Sequence, residues 1–309
     1  MSLAALSTVL GALALDRALG EPPNRWHPVA WFGLALAPLS RWLPTLSPRT
    51  ARVAGTLAWA AAVGGVALLA WALQAVLAQA PAWLAWPLGA LALKPALAWR
   101  MLKREVAAVE AALVQGLDEG RQRLAGLCSR DVRTLDEAGV RETAIETLAE
   151  NLNDAFVAPL FWWAVAGLPG AWAWRAVNTL DAMWGYRGRW THAGACAARA
   201  DDVLAWLPAR LTALLLWRPG LGWARLRTEA ARTPSPNGGW PMAAMALGLG
   251  VRLGKPGVYV LNAGGRPPTP ADLARALRRA EAAACAASVL ALALAAAGVP
   301  GFLFTGAAV

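Results

Sequence analysis

Three glutamates at four-residue intervals are the side chains in this sequence best suited to hold a cation. Glu142, Glu146 and Glu150 are followed, after Asn151 and Leu152, by Asn153 and Asp154. Carboxylates four residues apart on a helix are neighbours and repel each other by roughly 0.2–0.5 kcal/mol per pair. In a chain of formal net charge +10, no Lys or Arg between residues 141 and 175 relieves that repulsion. A solvated acidic face is the alternative interpretation. Because Mg²⁺ takes oxygen ligands from one or two carboxylates and shares them with substrate phosphates, we interpret the stripe as the metal-facing wall of an active site.

A helix is needed to hold these acids in line. Thr134 is its predicted N-cap, and Glu137 three residues later completes a capping box. Apolar residues recur at mainly three- and four-residue steps, as an amphipathic helix requires: Ile145, Leu148, Ala149, Leu152 and Phe156. The segment therefore predicts a helix with one acidic face and one core face.

The composition places this helix in a membrane protein. The hydrophobic fraction is 58%, the mean hydropathy is +0.42, and there are 18 Trp residues, a type that is enriched at membrane interfaces. The pI near 10.8 comes mostly from Arg. Since no basic helix with interleaved aromatic residues is present, we expect no nucleic-acid partner and favour lipid and anionic small molecules. The three cysteines have neither zinc nor disulfide spacing.

Apolar stretches predict an all-α integral membrane protein with about four transmembrane helices, because roughly 20 apolar residues cross a bilayer. The predicted crossings are residues 1–15, 53–77, 82–99 and 282–304. Residues 157–174 are broken by the turn at 167–170 and predict a re-entrant or interfacial hairpin, and residues 203–217 predict an interfacial helix. Residues 103–127 predict a pair of polar helices in the cytoplasm.

We expect a single membrane-embedded domain over residues 1–309. Its predicted parts are three transmembrane helices in 1–99, a cytoplasm-facing catalytic region with re-entrant segments in 100–281, and the last transmembrane helix in 282–309. Basic flanks place the polar segments in the cytoplasm by the positive-inside rule.

Two further polar concentrations could join the acidic helix in a site. Arg175, Asn178 and Asp181 step by three along one predicted helix face, and Arg199, Asp202 and Arg210 follow. Structural ion pairs, such as one between Asp202 and Arg210, explain single members equally well. The loop at residues 232–241, RTPSPNGGWP, could present backbone N–H groups to an anion, although a bare turn between helices is the simpler interpretation. His27, in a proline-rich loop, is more typical of a structural histidine than of a ligand.

Five blocks of the sequence carry a family resemblance over nearly the whole chain. They read LDRALGEP…HPV, ETLAENLNDAFVAPLF, RAVNTLDAMWGYR, ARADDVLAWLPARLTALLL and SPNGGWPMAAMALGLGVRLGKPGVY. In these blocks the chain resembles the CobD/CbiB family, the adenosylcobinamide-phosphate synthases of cobalamin biosynthesis. The resemblance implies a membrane ligase that uses ATP and Mg²⁺ to join adenosylcobyric acid to an aminopropanol, usually as its O-phosphate.

The resemblance also implies roles for individual residues. The metal ligands would be Glu146, Glu150 and Asp181, and the catalytic residues Asp154, Asp202, Arg199 and Arg210. The substrate- and ATP-binding residues would be Asn151, Asn178, Ser235, Asn237, Gly239, Trp240 and His27. Three positions depart from the family pattern: Met242 stands where a Glu is expected, Ala155 replaces a Gly, and Val132 replaces a Thr.

Membership of that family further implies a place in the cytoplasmic (inner) membrane, with several crossings and an active site that faces the cytoplasm. Its partners would be adenosylcobyric acid, aminopropanol phosphate, membrane lipid and other enzymes of the corrinoid pathway. Two alternatives from other classes stay open. One is a transporter whose acids line a cation path, and the other is a non-catalytic scaffold or sensor that binds a corrinoid.

Overall fold

The computed structural model describes residues 2–218 and 220–298, and helices dominate it. The helices are α1 Ser2–Leu19, α2 Pro28–Trp42, α3 Pro48–Gln79, α4 Ala82–Leu93, α5 Trp99–Leu113, α6 Leu117–Ala125, α7 Glu137–Leu152, α8 Ala158–Trp184, α9 Ala195–Leu204, α10 Trp206–Leu215, α11 Trp223–Ala230, α12 Gly239–Leu249 and α13 Pro270–Ala296. A π-helical segment, Asn153–Val157, joins α7 to α8. A short antiparallel hairpin, β1 Leu253–Lys255 and β2 Tyr259–Leu261, lies between α12 and α13 and pairs Lys255 with Tyr259. The predicted all-α class is confirmed apart from this hairpin.

Three helical stretches in the described residues are long and apolar enough to cross a membrane. They are Pro48–Gln79, Glu137–Trp184 and Pro270–Ala296. The first contains the predicted crossing at 53–77. The third contains the described part of the crossing predicted at 282–304, of which residues 299–304 lie outside the described residues. The chain is thus a helical membrane protein, and the predicted count of about four crossings is not confirmed.

The region after α3 shows why one predicted crossing falls short. Helix α4 ends at Leu93 after 12 residues, and a 3₁₀ turn, Lys94–Ala96, follows it. Pro95 has no backbone N–H with which to continue an α-helix. Twelve residues rise only about 18 Å at 1.5 Å each, so α4 alone is shorter than a bilayer core.

The N-cap of α7 differs from the prediction by two residues. The cap is Asp136, whose Oδ1 accepts the backbone N–H of Gly139 at 2.7 Å, and not Thr134. The prediction was wrong because Asp136 offers the same short acceptor directly before the first helical turn.

The predicted break at residues 167–170 is present inside α8. Gly167 adopts φ 65° and ψ −151°, and Ala166 is also non-helical. That conformation is open to glycine but strained for residues with a Cβ atom. The side chain of Gln74 on α3 accepts the N–H of Leu168 at 2.8 Å. A backbone donor near the break is thereby satisfied, as irregular structure at membrane depth requires. Whether this segment re-enters the membrane stays a prediction.

The chain divides into two compact units. Unit 1 comprises residues 1–98, 158–205 and 288–309, and unit 2 comprises residues 99–157 and 206–287. The expectation of one domain stays a prediction. In unit 1, α3 packs against α8 and α9, around a core that includes Leu43, Leu180 and Trp184.

Unit 2 carries the acidic helix. Helix α7 contacts α5, α6, α12 and β1, and its residues from Val140 to Ala149 are all buried. The predicted core positions Ile145, Leu148 and Leu152 are fully buried. The polar pair predicted at 103–127 is confirmed as helices α5 and α6. Because the middle of α7 is enclosed by these elements, Glu142 and Glu146 lie inside unit 2 and not on a solvated face.

Candidate active site

Three of the four acids of α7, Glu142, Glu146 and Glu150, lie on consecutive turns within unit 2. Glu142 and Glu146 are buried, with Glu146 only 2% exposed, and Glu150 is partly buried. Burying a carboxylate is costly unless it is paired. The partners of each acid therefore indicate whether it is structural or free to hold a ligand.

Two of the acids are neutralised by arginines that are distant in the sequence. Arg252 Nε donates to Glu142 Oε1 at 2.9 Å, and Arg130 Nη2 donates to Glu146 Oε2 at 2.7 Å. Arg130 is itself held by Thr143 Oγ1 at 2.8 Å and by the carbonyl of Gly254 at 3.1 Å. Burial lowers the pKa of Arg130, but the carboxylate of Glu146 more than offsets this and the pKa is raised overall. The repulsion seen in the sequence is thus relieved by tertiary contacts.

Glu146 and Glu150 keep carboxylate oxygens that could still accept hydrogen bonds or bind a cation. Glu146 Oε1 is buried and has no hydrogen-bond partner among residues 2–218 and 220–298. Glu150 has neither a hydrogen bond nor a salt bridge within the same residues, although it interacts electrostatically with Asp154 and Glu146. Burial raises the pKa of Tyr259, and the negative charges of Glu146 and Glu150 raise it further. The phenol therefore lies close to these acids in its neutral form.

The predicted loop lies against the same acids. A Cβ added to Gly238 would come 2.9 Å from Glu150 Oε1, so the glycine backbone is immediately beside that carboxylate. Ser235 Oγ accepts the backbone N–H groups of Asn237 at 3.2 Å and Gly238 at 3.1 Å. Two of the donors expected for a phosphate are therefore used inside the loop.

Arg210 holds this loop in position. Its guanidinium donates to Asn237 Oδ1 at 2.6 Å and to the carbonyl of Pro236 at 3.1 Å. It also lies over the rings of Trp206 and Trp240, at 4.4 and 4.7 Å from their centroids. In this arrangement Arg210 positions the loop, and its predicted catalytic role stays a prediction.

Asp154 lies in the π-helical segment that follows α7. Its Oδ1 accepts from Asn153 Nδ2 at 2.7 Å, and Asn153 Oδ1 accepts from Thr212 on α10 at 2.9 Å. Segments of π-helix often occur at functional sites. Asn151, by contrast, donates its side-chain amide to the carbonyl of Thr147 in its own helix at 3.0 Å.

Glu146, Glu150, Arg210, residues 235–241 of the loop and Tyr259 fall in the segments that carry the resemblance. Comparison with known proteins supports the same family. A family model described as CobD/Cbib protein matches residues 9–287. The chain belongs to the CobD/CbiB family. No solved structure matches it.

Relatives share this likeness over most of their length. The cobalamin biosynthesis protein CobD of Chromobacterium violaceum is 42% identical over 289 residues, covering 86% of this chain and 89% of the relative. The protein of the same name from Rhodobacter capsulatus is 40% identical over 299 residues, covering 90% and 92%. A probable cobalamin biosynthesis protein CobD from Pyrococcus abyssi is 42% identical over 272 residues, covering 86% and 88%.

The remaining predicted residues of this CobD/CbiB protein belong to unit 1. On α8, Asn178 Nδ2 donates to Asp201 Oδ1 at 3.4 Å. Asp181 lies against the backbone of Gly185. A Cβ atom at residue 185 would be 2.0 Å from Asp181 Oδ1, so this position requires a glycine. Arg199 lines a cavity of about 530 Å³ together with Arg52 and Cys196. Burial raises the pKa of Asp202.

His27 caps α2 in unit 1. Its Nδ1 accepts the N–H of Val29 at 3.2 Å, and its Nε2 lies 2.5 Å from Glu21 Oε2. Both ring nitrogens have partners in the chain, which favours the structural interpretation. A contact with substrate stays a prediction.

The acids of unit 2 fit a magnesium site of the kind that substrate phosphates complete. No group of three or more His, Cys, Asp or Glu side chains suited to a metal occurs in the described part of the chain. Mg²⁺ is usually held by only one or two carboxylates plus phosphate oxygens. The unpartnered Oε1 of Glu146 and the carboxylate of Glu150 supply that donor set.

Sequence reasoning gave no role to two residues beside these acids, Arg130 and Tyr259. Arg130 lies in the loop before α7 and Tyr259 lies far beyond it in the chain, and periodicity within one helix carries no signal for such contacts. Tyr259 is delivered by the β1–β2 hairpin, whose turn includes Gly257 at φ 72°. Its hydroxyl also lies 3.7 Å from Sδ of Met242, the position at which the resemblance led us to expect a Glu.

Proposed function

We propose that this protein forms an amide bond between adenosylcobyric acid and (R)-1-amino-2-propanol O-phosphate, or the free aminoalcohol, with ATP as co-substrate. Membership of the CobD/CbiB family supports the proposal. The observation that carries it within the structure is the pair Glu146 and Glu150, which keep acceptor oxygens unused inside unit 2. The site would lie in the cytoplasmic membrane and face the cytoplasm, where ATP is present.

The reaction we propose has two steps. A carboxylate oxygen of the corrin attacks the γ-phosphorus of ATP, so that an acyl phosphate forms and ADP leaves. The amine then attacks the acyl carbon, phosphate leaves, and the nitrogen loses a proton to a carboxylate, Asp154 or Asp202. Phosphoryl transfers depend mainly on positioning and on neutralising charge.

The side chains have distinct parts in this scheme. Glu146 and Glu150 would hold Mg²⁺, which would neutralise charge on the phosphates. The role of Asp181 as a further metal ligand stays a prediction. Arg130 fixes the orientation of Glu146 through their 2.7 Å contact. Arg199 offers a planar fork that suits a carboxylate or a phosphate. Arg210 and Ser235 keep the loop of Asn237, Gly239 and Trp240 in shape, with Asn151, Asn178 and His27 as further predicted substrate contacts.

Product formation tests the proposal directly. Purified protein in detergent is incubated with adenosylcobyric acid, aminopropanol phosphate, ATP and Mg²⁺, and mass spectrometry detects the amide. We expect product only when ATP and Mg²⁺ are both present. Glu146→Gln should abolish it, whereas Asp118→Asn, which removes an acid whose side chain is 89% exposed, should leave it unchanged.

The failures of this experiment point in different directions. Product that persists in Glu146→Gln would retain the reaction and move the metal to other residues. No product from folded protein with any aminoalcohol would favour the scaffold or sensor interpretation. Thermal unfolding gives a second measurement, since a ligand that binds only the folded state must stabilise it. ATP with Mg²⁺ should raise the melting temperature of the enzyme but not that of a passive channel.

A further inference from the structure

A cluster of four arginines surrounds a cavity in unit 2 and shares no residue with the acidic site. The cavity has a volume of about 340 Å³, and its lining includes Arg218, Arg275, Arg278, Arg279, Gly248 and Leu249. We refer to it as the arginine pocket. Three of its arginines come from the first turns of α13, and Arg218 follows α10.

Among the described residues, the acids of α13 pair with only one of the four arginines of the pocket, Arg275. Asp272 accepts from Arg266 and Arg275 and from Thr269. Glu281 pairs with Lys103 at 2.8 Å. Within residues 2–218 and 220–298, the side chains of Arg218 and Arg278 form no hydrogen bond and no ion pair. Two guanidinium groups therefore face solvent with all their donors available.

Arg279 is fixed in the pocket by backbone carbonyls. It donates to Leu216 O at 2.6 Å and to Gly248 O at 3.4 Å. A Cβ at residue 248 would come 2.5 Å from Nη2 of Arg279, so the glycine leaves the space that the guanidinium fills. The Nε of Arg279 is buried and has no partner among the described residues. The guanidinium of Arg279 is thus fixed in the pocket, and its Nε–H remains available to a ligand.

The position of the cluster along α13 adds a second indication. The arginines precede the apolar stretch from residue 282 to residue 296, in a helix long and apolar enough to cross a membrane. Basic pockets at the cytoplasmic end of membrane helices bind lipid phosphates. The planar fork of Arg matches phosphate oxygens in pairs.

We propose that the arginine pocket binds a phosphate group, carried by an anionic phospholipid headgroup or by a free phosphate in solution. This inference does not rest on the proposed synthase reaction. It requires only that the side chains of Arg218 and Arg278, together with the unused Nε of Arg279, donate to an anion in the pocket.

The test compares two probes on the full chain in a neutral detergent. Native mass spectrometry measures binding of dioleoyl phosphatidylglycerol, with dioleoyl phosphatidylcholine as the uncharged reference. Isothermal titration measures binding of inorganic phosphate. The variant is Arg218→Gln with Arg278→Gln, two exposed side chains whose loss breaks no contact among the described residues. The matched control is Arg104→Gln with Arg227→Gln, which removes the same charge from exposed positions in unit 2.

We expect the double variant to bind at least one probe about tenfold more weakly, a change of about 1.4 kcal/mol, because two charged hydrogen-bond donors to the anion are lost. The control should change affinity by less than about twofold. Loss for phosphatidylglycerol alone identifies a lipid headgroup, and loss for inorganic phosphate alone identifies a solute. Equal binding by variant and wild type, or no binding of either probe by wild type, would overturn the proposal. If the double variant unfolds, the single Arg278→Gln variant answers the same question.

Discussion

The two units each bury a group of ionisable side chains, and the two groups are satisfied to different degrees. In unit 1, Lys94 contacts Glu21 directly and Asp16 at 3.5 Å, and Glu21 also contacts His27. Every acid of this group has a basic partner. In unit 2, Glu146 shares one oxygen with Arg130, while its other oxygen and the whole of Glu150 have no hydrogen-bond partner among the described residues.

The contrast separates a structural role from a functional one. Buried charges are costly unless they are paired, so a closed group such as that of Lys94 is explained by the fold alone. Glu150, which has neither a hydrogen bond nor an ion-pair partner among the described residues, is not explained in this way. Perturbed and unsatisfied groups concentrate at functional sites. We therefore assign chemistry to the acids of unit 2 and a structural role to the group around Lys94.

The largest expected effect comes from removing Lys94 from the buried ion-pair group that it forms with Asp16 and Glu21, which we call the closed group. Lys94→Met leaves Asp16 and Glu21 buried without their ammonium partner, and we expect a loss of about 3–5 kcal/mol in the free energy of unfolding. Thermal unfolding in detergent measures it. Lys103→Met is the control, since the pair of Lys103 with Glu281 is about half exposed and should contribute no more than about 1 kcal/mol. Equal stability of Lys94→Met and wild type would refute a structural role for the group.

The acids Glu146 and Glu150 of unit 2, which we call the open group, should respond in the opposite way. Glu150→Gln removes a charge that has no ion-pair partner in the described residues, so stability should stay the same or rise. Product formation should nevertheless fall about 100-fold or more, because a metal contributes several kcal/mol of charge stabilisation. The two measurements are made on one preparation. A variant that is destabilised but fully active would place Glu150 with the structural residues.

Local patterns in the sequence predicted the parts of this site that depend on neighbours in one helix. The core face of α7 through Ile145 and Leu148, the break at Gly167 and the polar helices α5 and α6 all follow from periodicity or turn chemistry. The arginine partners of Glu142 and Glu146 come from residues 252 and 130. Pairs between different segments of the chain cannot be read from helical spacing. The repulsion among Glu142, Glu146 and Glu150 therefore looked uncompensated in the sequence.

A smaller effect is expected from the residue that places the loop beside Glu150. Arg210→Lys keeps the charge but loses the fork that bonds Asn237 and Pro236 and stacks on Trp240. We expect a loss of about 1–2 kcal/mol in the free energy of unfolding. Product formation should fall about tenfold, because the loop would no longer be held beside Glu150. Arg227→Lys, on an exposed residue of α11, should change neither. If Arg210→Lys abolished product with unchanged stability, Arg210 would be catalytic as first predicted.

The smallest effect tests whether α7 and its acids can be separated experimentally. Asp136→Ala removes the side chain that caps Gly139, and loss of such a cap costs about 1 kcal/mol. Thr134→Ala removes the hydroxyl of the originally predicted cap and should have no effect on stability. Neither change touches Glu146 or Glu150, so product formation per folded molecule should stay at the wild-type level in both. A fall in activity for Asp136→Ala, measured well below its melting temperature, would mean that the first turn of α7 sets the position of the acids. The function of Glu146 and Glu150 would then depend on the exact position of α7, just as the stability of the closed group depends on Lys94.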